Sequence, residues 1–519
     1  MAKHWLQTCT QNHVQCNRNL ASRDSPTRIL DISGLEHGID PRLLQNMVLD
    51  SGYVALSHRW GVQGLPSTTT LNLAARLERL PLVELSQTMQ DAIQITRELG
   101  FKYIWIDALC IIQDSTEDWL REASRMSSVF SGAIVTIAVA DADHHAQGIF
   151  RPRPARCMRP FRIPYLQDTP YRERTRLDGE GEFYVFPKSS LVGAGNRSKG
   201  TLDTRAWILQ EQLLSPRMLY YGNGEIYWDC VTVSASESSP IAASLLYDSD
   251  PDETWALKLI RRTLAGSTNT RALRRKIADI WTQIIKNYSS RKLTRQSDKL
   301  IALEGILKPL AVILEDEPVA GMWRDQLWKQ LVWWMPGPEV SIATSSDETF
   351  VAPSWSWLSV HAPVFYHNAL RSKDPQRDAG AHKFTDLEPL AKIIFAESET
   401  RSGVAGILGS LIMSGPSFSY HLTSNDLKKP VHKSWNAAKL KLNTGIWLLD
   451  RPLKLPVNIQ CVVMAEDNVA KMLVCLCLVP DEDMEGQWKR IGLCHWDGLA
   501  WQVPKFVGME LEERYFTIV

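Results

Sequence analysis

The chain has 519 residues, with 58 Lys+Arg against 58 Asp+Glu, a formal net charge of zero, 44% hydrophobic and 22% charged residues. This length is more than one ordinary core organises, so about two to four modules are expected. The even charge argues against a dominant nucleic-acid or anionic-membrane surface, and the apolar content argues against a disordered chain. Nine cysteines stand in no paired spacing, and an odd count favours free thiols in a reducing compartment. The 19 tryptophans spread along the whole chain and read as core anchors.

The first ten residues, Met1 to Thr10, contain neither an apolar h-region nor a small-residue cleavage site, so no secretory signal is expected. No apolar stretch reaches the roughly 18 residues a spanning helix needs. The longest, Met472 to Val479, reads as a buried strand, and the expected location is cytoplasmic. Residues 1–50 form a helical lead-in in which Trp5, Cys9, His13 and Cys16 recur on one face. Cys9, His13 and Cys16 are metal ligands in type, but a structural zinc takes four ligands and only three stand here. A fourth would have to arrive from elsewhere. The face is therefore read as apolar and docked on the body, and no metal is assigned.

The next unit alternates strand and helix. Tyr53 to Leu56 is a short apolar strand, followed by the Gly-punctuated loop Arg59-Trp-Gly-Val-Gln-Gly64. Ser86 caps a helix with the stripe Met89, Ala92, Ile93 and Leu99, and Gly100 ends it. Phe101 to Ile106 is a second strand. Ser115, with Asp118 three residues on, starts a second helix carried by Trp119, Ala123, Met126, Phe130 and Ala133. Ile134 to Val139 is a third strand. This alternation implies right-handed crossovers and a parallel sheet.

Both of the first strands end in polar groups that a core strand does not need: Ser57 and His58 in one, Asp107, Cys110, Gln113 and Asp114 in the other. Ligands bind beyond the carboxyl ends of strands in such sheets. At about 100° per residue, Glu122 falls between Met126 and Val129, inside the apolar arc of its helix. A carboxylate there must be paired, protonated or functional. Its plain reading is an ion pair with a neighbour such as Arg205 or Arg217, and its sharper reading is a carboxylate in a pocket at the strand ends. Cys110 with His58 has the residue types of a thiol–base dyad, but its apolar Ala-Leu-Cys-Ile setting reads as a buried inert thiol.

Three blocks, Tyr53-Val-Ala-Leu-Ser-His-Arg-Trp-Gly61, Tyr103-Ile-Trp-Ile-Asp-Ala-Leu-Cys-Ile-Ile-Gln-Asp114 and Arg205-Ala-Trp-Ile-Leu-Gln-Glu211, resemble the signature motifs of the fungal heterokaryon-incompatibility (HET) domain over roughly residues 51–232. Ile112 stands where the family usually has Asn, and Ala206 where it often has Gly. Ala352-Pro-Ser-Trp-Ser-Trp357 and Ile491-Gly-Leu493 are similar to the tails of such proteins. The resemblance implies an α/β fold with a TIR-like parallel sheet flanked by helices. It also sets Trp119-Leu-Arg-Glu122 beside the W-C-x-x-E helix start of NAD-cleaving TIR enzymes, offset by one residue, which casts Glu122 as a catalytic carboxylate. Cleaving the nicotinamide–ribose bond passes through an oxocarbenium-like state that one carboxylate can stabilise without a metal. Ser57, His58 and Asp107 would hold ribose or phosphate hydroxyls, and Trp60 or Trp105 would stack on a ring.

The third block puts Trp207, Gln210, Glu211 and Leu214 at helical spacing. Glu211 is either a second candidate acid or one half of a latch with Arg205. Arg217, Tyr227, Trp228 and Cys230 read as a closing hairpin. Residues 151–200, rich in Arg, Pro and Gly, read as an irregular insertion with Phe183 to Phe186 as a lone strand candidate, and Gly193 to Ser198 as a connector rather than a phosphate loop. The expected modules are thus 1–50, the HET domain at 51–232, a helical region at 233–340, and a β-rich region at 341–519 anchored by Trp355, Trp357, Trp447, Trp496 and Trp501.

Two functions follow from the resemblance. One is an effector of non-self recognition and cell death that consumes NAD as substrate, with no resident cofactor. The other is an interaction module that recognises an incompatible allele product or an upstream sensor without turnover. An accessory enzyme of secondary metabolism is a third and weaker option. Self-association is expected by analogy with TIR-like domains, and no nucleic acid or membrane span is expected. The discriminating feature is Glu122: open to a pocket for the first function, buried against an arginine for the second.

Overall fold

The strand–helix alternation of residues 53–139 builds the centre of the first of two compact units, Met1–Thr268 and Asn269–Val519. A computed structural model describes residues 1–17, 25–61, 64–151, 161–163, 183–185, 200–222, 224–237, 240, 253–266, 271–296, 298–335, 352–366, 387–400, 407–422, 446–450, 454–467, 472–497 and 511–519. The lead-in begins with helices α1 (Ala2–Asn12) and α2 (Val14–Asn17). It continues into strands β1 (Arg28–Asp31) and β2 (Arg42–Gln45). Then come β3 (Val54–Ser57), α3 (Leu73–Glu78), α4 (Gln87–Leu99) and β4 (Tyr103–Ile106). A single turn, α5 (Asp107–Cys110), leads to α6 (Thr116–Gly132) and β5 (Val135–Val139).

Local chemistry sets these boundaries. The Ser86 hydroxyl accepts from the Met89 N–H, and Gly100 closes α4 in the left-handed region at φ 92°, where a residue without Cβ is unstrained. Ser115 caps α6 by accepting from the Asp118 N–H. Beyond β5 the described residues give the pair β6 (Phe161–Ile163) and β7 (Phe183–Val185), which are antiparallel partners. They give also α7 (Trp207–Leu214), β8 (Arg217–Tyr221), β9 (Ile226–Cys230), β10 (Ser234–Ser236) and α8 (Glu253–Leu264). The lone strand candidate at Phe183 thus has a partner, while the Gly193 to Ser198 connector lies outside the described residues.

The eight strands run in the order β10-β9-β8-β5-β3-β4-β1-β2. β4, β3, β5 and β8 are mutually parallel neighbours. β1 and β2 on one side, and β9 and β10 on the other, are antiparallel. The expectation of a parallel sheet therefore holds for the middle only. The β9–β10 flank turns back because the β8–β9 and β9–β10 connections are too short for a crossover helix. The expectation of a helical lead-in fails too, since β1 and β2 are strands that pair with each other, and β1 pairs also with β4, far along the chain. β3 is the first strand of the parallel set, and its successors β4 and β5 lie on its opposite sides, so the winding reverses beside β3. Val54, Ala55, Leu56, Val135, Ile137 and Ile104 to Ile106 are buried in the central strands, as expected of a sheet covered on both faces.

The second unit opens with helices α9 (Arg271–Ser289) and α10 (Asp298–Leu314). The stripe Ile277, Ile280, Trp281, Ile284, Ile285 and Tyr288 of α9 is buried as its periodicity requires. A β-rich region follows, built on an eight-stranded sheet that includes β15 (Leu387–Pro389), β16 (Lys392–Thr400), β17 (Ile407–Leu422), β18 (Ile446–Leu449), β19 (Val457–Asp467), β20 (Met472–Pro480), β21 (Gln487–Asp497) and β22 (Glu512–Ile518). The apolar run at Met472 is β20, with Leu473 to Leu478 all buried. Short strands β11 to β14 (Pro318–Val319, Met322–Trp323, Trp333–Trp334, Phe365–Tyr366) pair two by two. Trp355 and Trp357 are fully buried. Trp447 and Trp496 fall on strands β18 and β21, and Trp501 lies outside the described residues.

Candidate functional site

The winding reversal beside β3 sets the carboxyl ends of β3, β4 and β5 side by side, where a doubly wound sheet receives its ligand. Ser57, the last residue of β3, pairs in register with Ala138 of β5, and Leu56 pairs with Ile106 just before Asp107. Ser57 and His58 are buried, and neither the Ser57 hydroxyl nor either ring nitrogen of His58 meets a hydrogen-bond partner among the described residues. Asp107 Oδ1 lies 3.9 Å from His58 Nδ1 and accepts from the Ala108 N–H at 2.7 Å. Its other oxygen accepts from Trp60 Nε1 at 2.8 Å. Asp107 is thus fixed by two donors and faces the imidazole without binding it tightly.

Burial pushes the His58 imidazole down to about 4, the Arg205 and His145 charges push the same way, and Asp107 opposes them. His58 is therefore neutral at ordinary pH, and a neutral imidazole with two free nitrogens is one donor and one acceptor. Arg205 from the third block donates from Nη1 to the His58 carbonyl at 2.5 Å, tying the first and third blocks together. Gly61 is required where it stands. Its φ is 77°, and a Cβ there would come within 2.8 Å of the His144 Cα. The loop after β3 thus lies against the loop after β5.

That second loop supplies groups the sequence reading passed over. Asp91 on α4 accepts from the Ile149 and Phe150 N–H groups and from Gln87 Nε2, pinning residues 149–150. Asp141 follows β5, and its carbonyl accepts from Arg151. His145 acts electrostatically on His58. Ala140-Asp-Ala-Asp-His-His145 is a polar cluster just beyond a buried strand, so the rule that picked out Ser57 and Asp107 applies equally to it.

The other candidates lie elsewhere. Trp105 is fully buried and meets Phe130 edge-on at 5.6 Å, which makes it a core anchor with no face for a ligand. Glu122 is buried on α6, with Oε1 3.8 Å from Arg28 Nη2 and 3.4 Å from Arg121 Nε. Its partners are thus Arg28 and Arg121, not Arg205 or Arg217. Arg28 also pairs with Asp118 and donates from Nε to the Cys110 carbonyl at 2.8 Å, while Asp118 accepts from the Ile112 N–H and pairs with Arg121. Arg28 went unread because β1, which carries it, reaches this place only through its pairing with β4. Glu211 is buried on α7, a helix whose Trp207 packs edge-on against Trp119 at 6.3 Å. Burial pushes the Cys110 thiol up to about 12, so the inert reading of this cysteine stands.

The fold and this arrangement define a doubly wound α/β domain with a polar cluster at its central strand ends and a buried arginine–carboxylate cluster between β1 and α6. Residues 53–211 match the family model of the heterokaryon incompatibility protein (HET), and the chain carries a HET domain there. No curated protein and no solved structure matches the chain. No helix among the described residues is long and apolar enough to cross a membrane.

Proposed function

We propose that the protein acts in the cytoplasm in fungal heterokaryon incompatibility, with its HET domain serving as an interaction module that recognises an incompatible allele product or an upstream sensor. The observation that carries this reading is the burial of Glu122 against Arg28 and Arg121. A carboxylate that stabilises an oxocarbenium-like sugar must face that sugar, whereas this one is buried and faces the buried guanidinium of Arg28 and the half-exposed one of Arg121. In this reading the Arg28–Asp118–Glu122 cluster joins α6 to β1, and recognition takes place on a surface the cluster holds in shape.

A second reading is favoured by one specific observation, the buried Ser57 hydroxyl and the neutral His58 ring at the strand ends, neither with a hydrogen-bond partner among the described residues. There the domain binds or cleaves a nucleotide such as NAD in TIR-like fashion, with Ser57, His58 and Asp107 on its hydroxyls and Trp60 beside a ring. The test is NAD consumption by the concentrated full-length protein, with Glu122→Gln and His58→Gln alongside, together with cell death when each is expressed in a fungal host. The first reading expects no NAD loss and death with Glu122→Gln as with the parent. NAD loss abolished by Glu122→Gln in a protein of unchanged fold overturns it, and loss abolished by His58→Gln alone moves the function to the strand ends.

A further inference from the structure

The three ligand-type residues of the lead-in have a fourth in the folded chain. Cys9 on α1, His13 between α1 and α2, and Cys16 on α2 meet Cys230, the last residue of β9, and one ligand atom from each lies within 4.8 Å of all the others. His13 Nδ1 is 3.4 Å from Cys230 Sγ. We propose that Cys9, His13, Cys16 and Cys230 bind one zinc ion in a closed structural site that fastens the N-terminal helices to β9 of the first unit's sheet.

Several features support this beyond proximity. The three cysteines are buried free thiols, so none is committed to a disulfide. A tetrahedral zinc with metal–sulfur bonds of about 2.3 Å sets its sulfurs about 3.8 Å apart, and a cluster spanning 4.8 Å contracts onto that shape by small side-chain shifts. Cys₃His is one of the ordinary structural zinc sets, and four protein ligands leave no open position for catalysis. The sulfurs also have outer partners of the kind that orient metal ligands. The Val233 N–H donates to Cys230 Sγ at 3.3 Å, and the Thr232 hydroxyl lies 3.5 Å from Cys16 Sγ.

Charge gives an independent argument. Arg217 is completely buried. Its Nε donates to Cys9 Sγ at 3.1 Å and its Nη1 to the Ile134 carbonyl at 3.1 Å, and it bonds the Asn17 side-chain oxygen as well. Among the described residues no carboxylate pairs with it. A buried guanidinium without a counter-charge is costly. Zinc binding releases three thiol protons to solvent and leaves a centre of net charge −1 against that cation, with His13 bound as the neutral ring. The ion would also explain the docking of α1, an 11-residue helix shorter than those stable alone in water.

The experiment is metal analysis and zinc-edge X-ray absorption on the full-length protein purified with zinc present. One zinc per chain, with three sulfurs at about 2.3 Å and one nitrogen at about 2.0–2.1 Å, is the expected result. Cys230→Ser should lower zinc content at least tenfold at a fixed competing-chelator concentration, while Cys110→Ala, a buried thiol outside the cluster, should keep it. Should Cys230→Ser fail to fold, the absorption spectrum of the parent decides alone. A zinc-free parent, a shell without sulfur, or a disulfide among Cys9, Cys16 and Cys230 found by mass spectrometry overturns the proposal.

Discussion

Replacing Arg28 by Met would strip α6 of the cation that two buried carboxylates share. The lost contacts are the Asp118 pair, the 3.8 Å approach to Glu122 and the Nε bond to the Cys110 carbonyl. Removing one partner of a buried ion pair typically costs about 3–5 kcal/mol, because the survivor stays buried and uncompensated. Asp118 should account for most of this, since it is the closer partner of Arg28, and the Ile112 N–H and Arg121 that it keeps set the cost at the lower end of that range. Glu122 lies farther from Arg28. At an effective dielectric of about 20 the gross attraction at that distance is about 4 kcal/mol, and most of it is offset by the cost of burying the charge. Glu122→Gln should therefore cost about 1 kcal/mol, and less still in the Arg28→Met background. A chain of two units does not unfold in one step, so the assay is hydrogen exchange on peptides covering Arg28–Asp31 and Thr116–Gly132, read as local opening free energies. A cost below about 1 kcal/mol for Arg28→Met, or equal costs for Arg28→Met and Glu122→Gln, would refute the view that this cluster is structural.

Two other outcomes are expected. Burial holds His58 near 4 against an ordinary 6.5. Above pH 6.5 the ring is neutral folded or unfolded and contributes no pH dependence. Between 6.5 and 4 the unfolded chain takes up a proton that the folded domain refuses, so stability falls by up to about 1.4 kcal/mol per pH unit, about 3 kcal/mol in all, and levels off below 4. His58→Gln should remove that limb from the difference between the two stability–pH profiles, and superimposable profiles would contradict the assignment. In the second unit, buried Arg490 donates to Asp450 at 2.7 Å and to the Leu331 and Trp333 carbonyls, and lies 3.4 Å over the Trp333 ring. Arg490→Lys keeps the charge but loses the planar fork, and should lower the denaturation midpoint of the second unit with a cost of about 2–4 kcal/mol. A cost within 0.5 kcal/mol, roughly that of an ordinary surface change, would sink this account.

What the sequence made legible divides by range. Ser86 and Gly100 delimit α4, and Ser115 starts α6, because caps are local chemistry written within a few residues. The polar ends of β3 and β4 could be placed because strand periodicity fixes where each strand stops. Long-range pairing could not be read. Arg28 meets Glu122 only through the β1–β4 register, and Cys230 reaches Cys9 only through the fold of the first unit, whereas the hairpin expected from Arg217 to Cys230 is local and is found as β8–β9. The burial of Trp105 was equally hidden, since Tyr103 to Ile106 presents the same pattern whether a ring faces a ligand or packs against Phe130.

The docking of α1 on β9 has a consequence for synthesis. Trp5 lies against Trp228 at 6.4 Å, and its Nε1 donates to the Pro240 carbonyl, while His13 meets Cys230, 217 positions further on. A ribosome adding about 5–20 residues per second needs roughly 10–40 s to cover that interval. Throughout it Trp5, Leu6, Cys9 and Cys16 have emerged while the strand that buries them does not yet exist. Helix α1 thus finds its place in the first unit only once β9 has been made, and Cys9 and Cys16 wait that long for protection.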